Sequence, residues 1–322
     1  MSDPRTRVEL ERAIEEQPDD LNRYLVLADA LGSAGSRHGE LIVLQSRADQ
    51  TRDEAAKKVL LERADALFRE LRKSLLSPSL DTDQPLFDYG WRWGFIEKLT
   101  VRYWHHDAYE DVYKALARML ASPALRFLRA LKVIEPTATL LELLAETVLP
   151  VATEVELHGL APTLQGPFGP LEAIDQAFPK LRRLRIESVP VLWGEARLRQ
   201  LEALHLRAAD PMLDTVQWLA GAQWPRLHEL ELNVEAMPLI TAHTFPALSS
   251  LHLWLPDETV VMPVLDLVRR PVKRLRLSGP DPLVLASALA AAPQPEVEWL
   301  ELEIPAEELP ADLRRALPKL SK

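Results

Sequence analysis

Residues 181–186 read LRRLRI, residues 201–206 read LEALHL, residues 227–232 read LHELEL and residues 248–253 read LSSLHL. Each stretch has an apolar residue, two variable residues, an apolar residue, one variable residue and a final apolar residue. The last two apolar positions are two residues apart, so in a β-strand they lie on the same face. One such unit cannot bury its apolar face alone, and a stack of units makes a continuous core.

The same pattern recurs from residue 96 onward, with its middle positions separated by about 20 to 32 residues. This interval is the period of a leucine-rich repeat. The apolar triplets are Ile96/Leu99/Val101, Leu128/Leu131/Val133, Ala152/Val155/Leu157, Leu181/Leu184/Ile186, Leu201/Leu204/Leu206, Leu227/Leu230/Leu232, Leu248/Leu251/Leu253, Val272/Leu275/Leu277 and Val297/Leu300/Leu302.

Helix-like runs lie between these strands, at Leu140–Leu149, Leu171–Phe178, Met212–Ala220, Pro263–Val268 and Pro282–Ala291. Strands that alternate with helices at a fixed period pair in parallel through right-handed crossovers. The sequence therefore predicts an α/β leucine-rich-repeat solenoid. It would be a horseshoe with parallel strands on the concave side and helices on the convex side.

The first ninety residues lack the triplet pattern and carry apolar residues at helical spacing. Helices are predicted over residues 6–17 and 21–31 and from residue 39, followed by a long amphipathic helix within residues 50–76. The predicted organisation is a helical module with its linker helix over residues 1–90 and a repeat array over residues 91–322. The array would end in a C-terminal cap at Pro310–Leu320.

Within this helical module, Ala28-Asp29-Ala30-Leu31 is followed by a GELIVLQ run over residues 39–45, and WRWGF occupies residues 91–95, where the repeats begin. These runs resemble the bacterial repeat-companion domain, a short helical module found ahead of leucine-rich repeats. The tryptophan of that family's Ala-Asp-Trp-Leu run is missing here. The resemblance supports the architecture and implies no catalytic residues.

Composition limits the classes of function. The chain has 322 residues, a net charge of -10 and no cysteine. An acidic chain repels a phosphate backbone unless it carries a segregated basic patch, so nucleic acid is not expected as a partner. The lack of cysteine excludes disulfides and thiolate metal sites. No secretory signal or membrane-spanning run is recognisable, so we expect a cytoplasmic protein without a membrane partner.

The residue between the last two apolar positions of each unit is predicted to project onto the concave surface. In order these residues are Thr100, Lys132, Glu156, Arg185, His205, Glu231, His252, Arg276 and Glu301. Neighbouring strands lie about 4.8 Å apart, so Glu231 can touch His205 and His252, and Arg276 can touch Glu301. Two compatible interpretations follow: a ladder of charges that neutralise one another, or a binding surface that selects a charged partner.

Two tryptophans suggest where a partner makes contact. Trp254 is placed just after a strand and Trp299 on a concave row, and tryptophan is enriched among residues that dominate binding energy. Each could instead pack against an adjacent loop. Trp91 and Trp93 are expected to plug the N-terminal end of the stack. The candidate partner-binding residues are Arg185, His205, Glu231, His252, Trp254, Arg276, Trp299 and Glu301.

Motifs for catalysis are not recognisable: the sequence has no phosphate-binding glycine loop and no Gly-x-Ser-x-Gly elbow. The dense ligand cluster at residues 105–111 contains adjacent histidines, which diverge and so make a poor metal site. His205, Glu231 and His252 could hold a divalent metal or form a pH-sensitive contact, although a ladder is the simpler interpretation.

We therefore predict a non-enzymatic scaffold that needs no cofactor and binds a protein or peptide through its concave face. The alternatives are the substrate-recognition part of an enzyme or effector system, and a purely structural, self-assembling repeat protein. The oligomeric state does not follow from the sequence.

Overall fold

The chain folds as an α/β structure with a ten-stranded, mostly parallel sheet in which the strands follow chain order from β1 to β10. The strands are β1 Phe87–Arg92, β2 Phe95–Arg102, β3 Ala130–Ile134, β4 Glu154–His158, β5 Arg183–Glu187, β6 Ala203–Arg207, β7 Glu229–Asn233, β8 Ser250–Trp254, β9 Val272–Ser278 and β10 Val297–Leu302. The computed structural model describes residues 4–76, 87–102, 109–159, 168–207, 213–233, 240–255, 271–279, 281–291, 297–303 and 308–317.

The helices confirm the predicted helical character of the N-terminal residues and of the segments between strands. They are α1 Pro4–Glu16, α2 Leu21–Ser33, α3 His38–Gln50, α4 Glu54–Leu76, α5 Tyr109–Leu120, α6 Ala138–Ala145, α7 Glu172–Ala177, α8 Leu213–Gly221, α9 Pro282–Ala291 and α10 Ala311–Ala316. Across the described ranges, none of them has the length and apolar character needed to cross a bilayer. The helix predicted at residues 263–268 and the histidines at 105 and 106 lie outside the described residues.

Two compact units divide the chain: residues 1–155 with 176–180, and residues 156–175 with 181–322. The first unit holds α1–α6 and β1–β3, with an antiparallel β1–β2 hairpin and a parallel β2–β3 pair. The second unit holds α8–α10, β5–β10 and residues 172–175 of α7. The separate prediction of a module boundary near residue 90 stays a prediction.

The core of the first unit is an aromatic cluster that joins α2 to β2. Tyr24 meets the rings of Trp93 and Phe95 edge-on, with centroid distances of 4.9 and 5.9 Å. The Nε1–H group of Trp93 donates to an Asp49 carboxylate oxygen at 2.8 Å. Trp91, which is half-buried, packs against Phe68 of α4 at 4.3 Å. Both tryptophans expected near the start of the repeats therefore pack against the helical module.

The turn between β1 and β2 requires glycine. Trp93 and Gly94 both have a positive φ, at 48° and 81°, as a two-residue hairpin turn of type I′ demands. The backbone N–H of Gly94 donates to the side-chain oxygen of Gln45 at 2.6 Å, and its carbonyl oxygen lies 2.6 Å from His38 Nε2. A Cβ at Gly94 would lie 2.5 Å from Ile42 Cγ1.

We expect Gly94→Ala to lower the free energy of unfolding by about 1–2 kcal/mol, because alanine disfavours the left-handed region and its Cβ collides with α3. Denaturant unfolding followed by circular dichroism measures this loss. The matched control is Gly90→Ala in β1, where the added Cβ makes an ordinary contact of 3.7 Å with Lys98. Equal stability of the two variants would show that the turn tolerates a side chain.

The second unit contains the repeated triplets as one parallel ladder. In the sheet, the middle leucine of each strand pairs with that of the next, in the order Leu184, Leu204, Leu230, Leu251, Leu275 and Leu300. Each of these side chains is at most 1% exposed. The prediction that the triplets share one sheet and bury one face is confirmed. The residues between them form the opposite, polar side.

Candidate functional site

The candidate site is one side of β5–β10, which we call the polar face. It carries a row of six side chains, one from each strand: Arg185, His205, Glu231, His252, Arg276 and Glu301. It also carries the residues two positions before and two positions after each member of this row. Consecutive members of this row are Cα partners in the parallel ladder. Their side chains therefore project side by side, as the sequence predicts. The alternation with buried leucines fixes this orientation, because a register slip of one residue would bury the charges.

Glu231 is the centre of the polar face. Its Oε1 accepts a hydrogen bond from Trp254 Nε1–H at 2.7 Å. Its Oε2 lies 3.2 Å from His205 Nδ1 and 3.5 Å from His252 Nδ1. The side chain is only 11% exposed. Three groups on β6 and β8 thus converge on one carboxylate that protrudes from β7 between them.

This arrangement keeps Glu231 ionised. Burial raises its pKa, but hydrogen bonds from His252 and Trp254 and the charges of His252 and His205 outweigh burial and lower the pKa to about 2. The ordinary value for a glutamate is 4.5. Glu231 is therefore a buried anion that is enclosed by polar partners on the neighbouring strands.

The outer nitrogens of both histidines also have partners. His205 Nε2 lies 3.1 Å from Glu229 Oε1, and His252 Nε2 lies 2.8 Å from Ser278 Oγ. The hydrogen bond from His205 lowers the pKa of Glu229. All four ring nitrogens are thus engaged within the protein. Over the described part of the chain, no group of three or more histidine or acidic side chains is arranged to hold a metal.

A second cluster adjoins this centre at the carboxyl ends of β4–β6. Glu187 Oε2 lies 2.8 Å from His158 Nδ1, and its Oε1 accepts from Arg185 Nε at 3.1 Å. Burial raises the pKa of Glu187, but the hydrogen bond and charge of Arg185 outweigh burial and keep that pKa below its ordinary value. Arg207 lies 3.7 Å from the same carboxylate, so Glu187 balances two arginines.

Arg207 links the two clusters through Trp254. Its guanidinium carbon lies 3.6 Å from the centroid of the Trp254 ring, in cation–π geometry. Trp254 was expected just after a strand, but it is the last residue of β8 and lies on the polar face. Its indole is therefore held on one face by Arg207 and at its N–H by Glu231, while part of the ring stays exposed.

The pairing at the β9–β10 end differs from the prediction that Arg276 contacts Glu301. Those two residues are Cα partners, but Arg276 reaches Glu303 at 3.4 Å and Arg274 reaches Glu301 at 3.2 Å. Long arginine side chains lean along the strand, so the ion pairs run diagonally, two residues towards the carboxyl end. Arg274 is 58% exposed and Glu301 30%.

Trp299 lies at the outer end of the polar face, on β10 and in register with Arg274. It is 55% exposed, and it is the most exposed tryptophan among the described residues. Of the candidate residues, Arg185, His205, Glu231, His252 and Trp254 are brought together in the two clusters. Arg276, Glu301 and Trp299 lie on the last two strands.

Four residues of the polar face, Glu187, Arg207, Glu229 and Ser278, were not among the candidates, and neither was His158 on the adjoining strand β4. Glu229 lies two residues before the concave-row position of its own strand. Each of the other four lies two residues after that position on its strand. A search for polar residues at these two offsets in each triplet would have found them. The charges of the face largely neutralise one another, as the ladder interpretation expects.

Comparisons with known proteins bear on the fold alone. No family model matches the chain, and no curated protein matches it. Among solved structures, the crystal structure of a Bacteroides fragilis protein determined by a structural genomics consortium matches with a TM-score of 0.54 and 14% identity. The match covers 84% of this chain and 83% of that protein. Another protein therefore has a similar arrangement of strands and helices.

Proposed function

We propose that this chain is a leucine-rich-repeat solenoid with an N-terminal repeat-companion module, acting as a non-enzymatic scaffold in the cytoplasm. In this proposal the polar face binds a protein or peptide partner. The main support for this proposal is the placement of Trp254. Its ring is partly exposed, yet contacts with Arg207 and Glu231 fix it in position. A preorganised aromatic side chain loses little conformational entropy when a partner covers it, and such residues dominate interface energies.

Two further observations favour recognition over catalysis. The nitrogens of His205 and His252 already have partners, so both rings are committed to holding the face rather than to moving a proton. The arginines are more exposed than the carboxylates they pair with: Arg185 is 40% exposed and Glu187 20%. The face therefore offers guanidinium groups and indoles to a partner, with the carboxylates beneath them. Because these arginines are paired, nucleic acid is not the partner we expect.

Trp299→Ala should weaken binding of the partner roughly 30-fold, which corresponds to about 2 kcal/mol for an aromatic residue that dominates an interface. The partner is first isolated from the native host with the full chain. Its dissociation constant is then measured by isothermal titration calorimetry. Trp299 is exposed, so its replacement leaves the fold intact.

Trp254→Phe is the second variant of this test, because it keeps an aromatic ring beside Arg207 and removes the N–H donor together with the five-membered ring that carries it. We expect a loss of affinity of about tenfold. Leu283→Ala is the matched control, since Leu283 is a 43% exposed apolar residue on α9, outside the polar face. A partner that binds both tryptophan variants as tightly as the control would place the interface elsewhere.

A further inference from the structure

A separate cavity of about 670 Å³ lies in the second unit, away from the strand residues of the polar face. It is lined by the connection between β5 and β6, which contributes Arg197 and Arg199, and by Trp218 at the end of α8. The segment before β7 contributes Pro225. Its volume falls in the range of pockets that hold small organic ligands.

The connection that lines the cavity is held by side chains of α7. Asp175 accepts the backbone N–H groups of Arg197 and Leu198 at 3.2 and 3.3 Å, and Glu172 accepts that of Glu195 at 2.6 Å. These acceptors fix the backbone from which both arginines project. The two nearest acidic residues of α7 are thus engaged with backbone amides instead of with guanidinium groups.

The other wall is equally fixed. Trp218 Nε1–H donates to the carbonyl oxygen of Ala196 at 2.7 Å. The Trp218 ring stacks on that of buried Trp193, with the centroids 3.6 Å apart and the planes 13° from parallel. The cavity is therefore preformed by a backbone connection and an indole that are joined directly.

Arg197 and Arg199 are the unusual feature of this cavity. Both are exposed, and neither guanidinium group has an acceptor within the described ranges of the chain. By contrast, Arg185, Arg207 and Arg276 of the same unit each lie beside a carboxylate. Glu195 also lines the cavity, and no ion pair joins it to either arginine within the described residues. Among the lining side chains two are cationic and one is anionic, and the nearby carboxylates of Glu172 and Asp175 accept backbone N–H groups.

We propose that this cavity binds an oxyanion group, a carboxylate or a phosphate, carried on a small apolar body. Guanidinium groups match the planar geometry of such anions and bind them through paired hydrogen bonds. Ala196, Trp218 and Pro225 supply apolar surface for the rest of the ligand. This site is independent of the partner surface on the polar face.

The test titrates the full chain with benzoate, phenyl phosphate and the neutral benzamide, followed by ligand-observed NMR. We expect benzoate and phenyl phosphate to bind at least tenfold more tightly than benzamide. Arg197→Ala/Arg199→Ala should weaken binding of both anions at least tenfold. The matched control is Arg182→Ala, which removes an exposed arginine of the same unit that pairs with Glu202.

Equal binding of benzoate and benzamide, or unchanged binding of the anions to the double arginine variant, would overturn the proposal. A tripeptide that ends in phenylalanine, with a free or an amidated carboxyl terminus, identifies the source of the anion. Tighter binding of the free acid assigns the cavity to peptide termini. Binding of benzoate without the peptide assigns it to free small molecules.

Discussion

Replacing Leu251 with alanine is expected to lower the free energy of unfolding of the second unit by about 2–5 kcal/mol, the usual range for a buried leucine. Leu251 is fully buried and lies in register between Leu230 and Leu275. The substitution leaves a cavity in the middle of the ladder. The neighbouring strands β7 and β9 cannot close that cavity without shifting from positions that are fixed by their own hydrogen bonds.

The effect should be local as well as large, because β8 pairs in the sheet with β7 and β9. Hydrogen exchange followed by mass spectrometry is therefore the measurement. Amides of β7, β8 and β9 should lose protection, while those of the β1–β2 hairpin in the first unit should keep it. Leu283→Ala on α9 is the control, with an expected change below about 0.5 kcal/mol. A Leu251 variant as stable as this control would show that the ladder is not what holds the unit together.

The strands could be predicted from sequence because burial alternates along them. Leu184 and Ile186 are buried while Arg185 between them is partly exposed, and this alternation of period two is typical of a strand with one covered face. Repetition at a steady interval then implied that the strands pair in parallel. The helices of the N-terminal module could be predicted for the same kind of reason, with apolar residues at a spacing of three and four.

The side-chain contacts of the site could be predicted only in part. Register alone placed Glu231 between His205 and His252, because short side chains on neighbouring strands meet their direct neighbours. It failed for Arg276, whose long side chain reaches Glu303 instead of Glu301. The length and tilt of an arginine side chain allow several carboxylates within reach, and the sequence does not say which one is chosen.

The cavity near Arg197 lay beyond sequence analysis for a different reason. Its shape depends on the path of an irregular connection, with Leu198 at a φ of 39° and Gly194 at 54°. That path is set by carboxylates of α7 that accept backbone N–H groups about twenty residues later in the chain. No periodic pattern reports such contacts, so neither the cavity nor its arginines could be proposed from sequence.

Replacing Glu231 with glutamine should destabilise the second unit by about 3 kcal/mol at pH 7. The order of magnitude follows from the difference between the ordinary pKa of 4.5 and the folded value of about 2, at about 1.4 kcal/mol per pH unit. Glutamine keeps the shape and one acceptor oxygen but loses the charge that His205, His252 and Trp254 solvate. The free energies come from urea unfolding monitored by tryptophan fluorescence.

The loss of stability in Glu231→Gln should depend on pH, in the direction that the lowered pKa of Glu231 sets. The folded pKa of Glu231 is below the unfolded value, so its contribution is fully present above about pH 4.5 and is lost as the pH falls towards about 2. Wild type and Glu231→Gln should therefore differ most above pH 4.5 and converge near pH 2. Taking the difference between the two proteins removes the contributions of Glu187 and Glu229, whose pKa values are also lowered and which both proteins contain.

Glu301→Gln is the matched control, because Glu301 is a carboxylate of the same face that pairs with the exposed Arg274 at 3.2 Å. Solvent screens that pair, so its loss should cost less than about 1 kcal/mol. The comparison separates burial from mere pairing, since both carboxylates have partners on neighbouring strands and only Glu231 is enclosed by them. If the two variants lose equal stability at pH 7, or if the deficit of Glu231→Gln persists at pH 2, Glu231 is not the buried anion that organises this face.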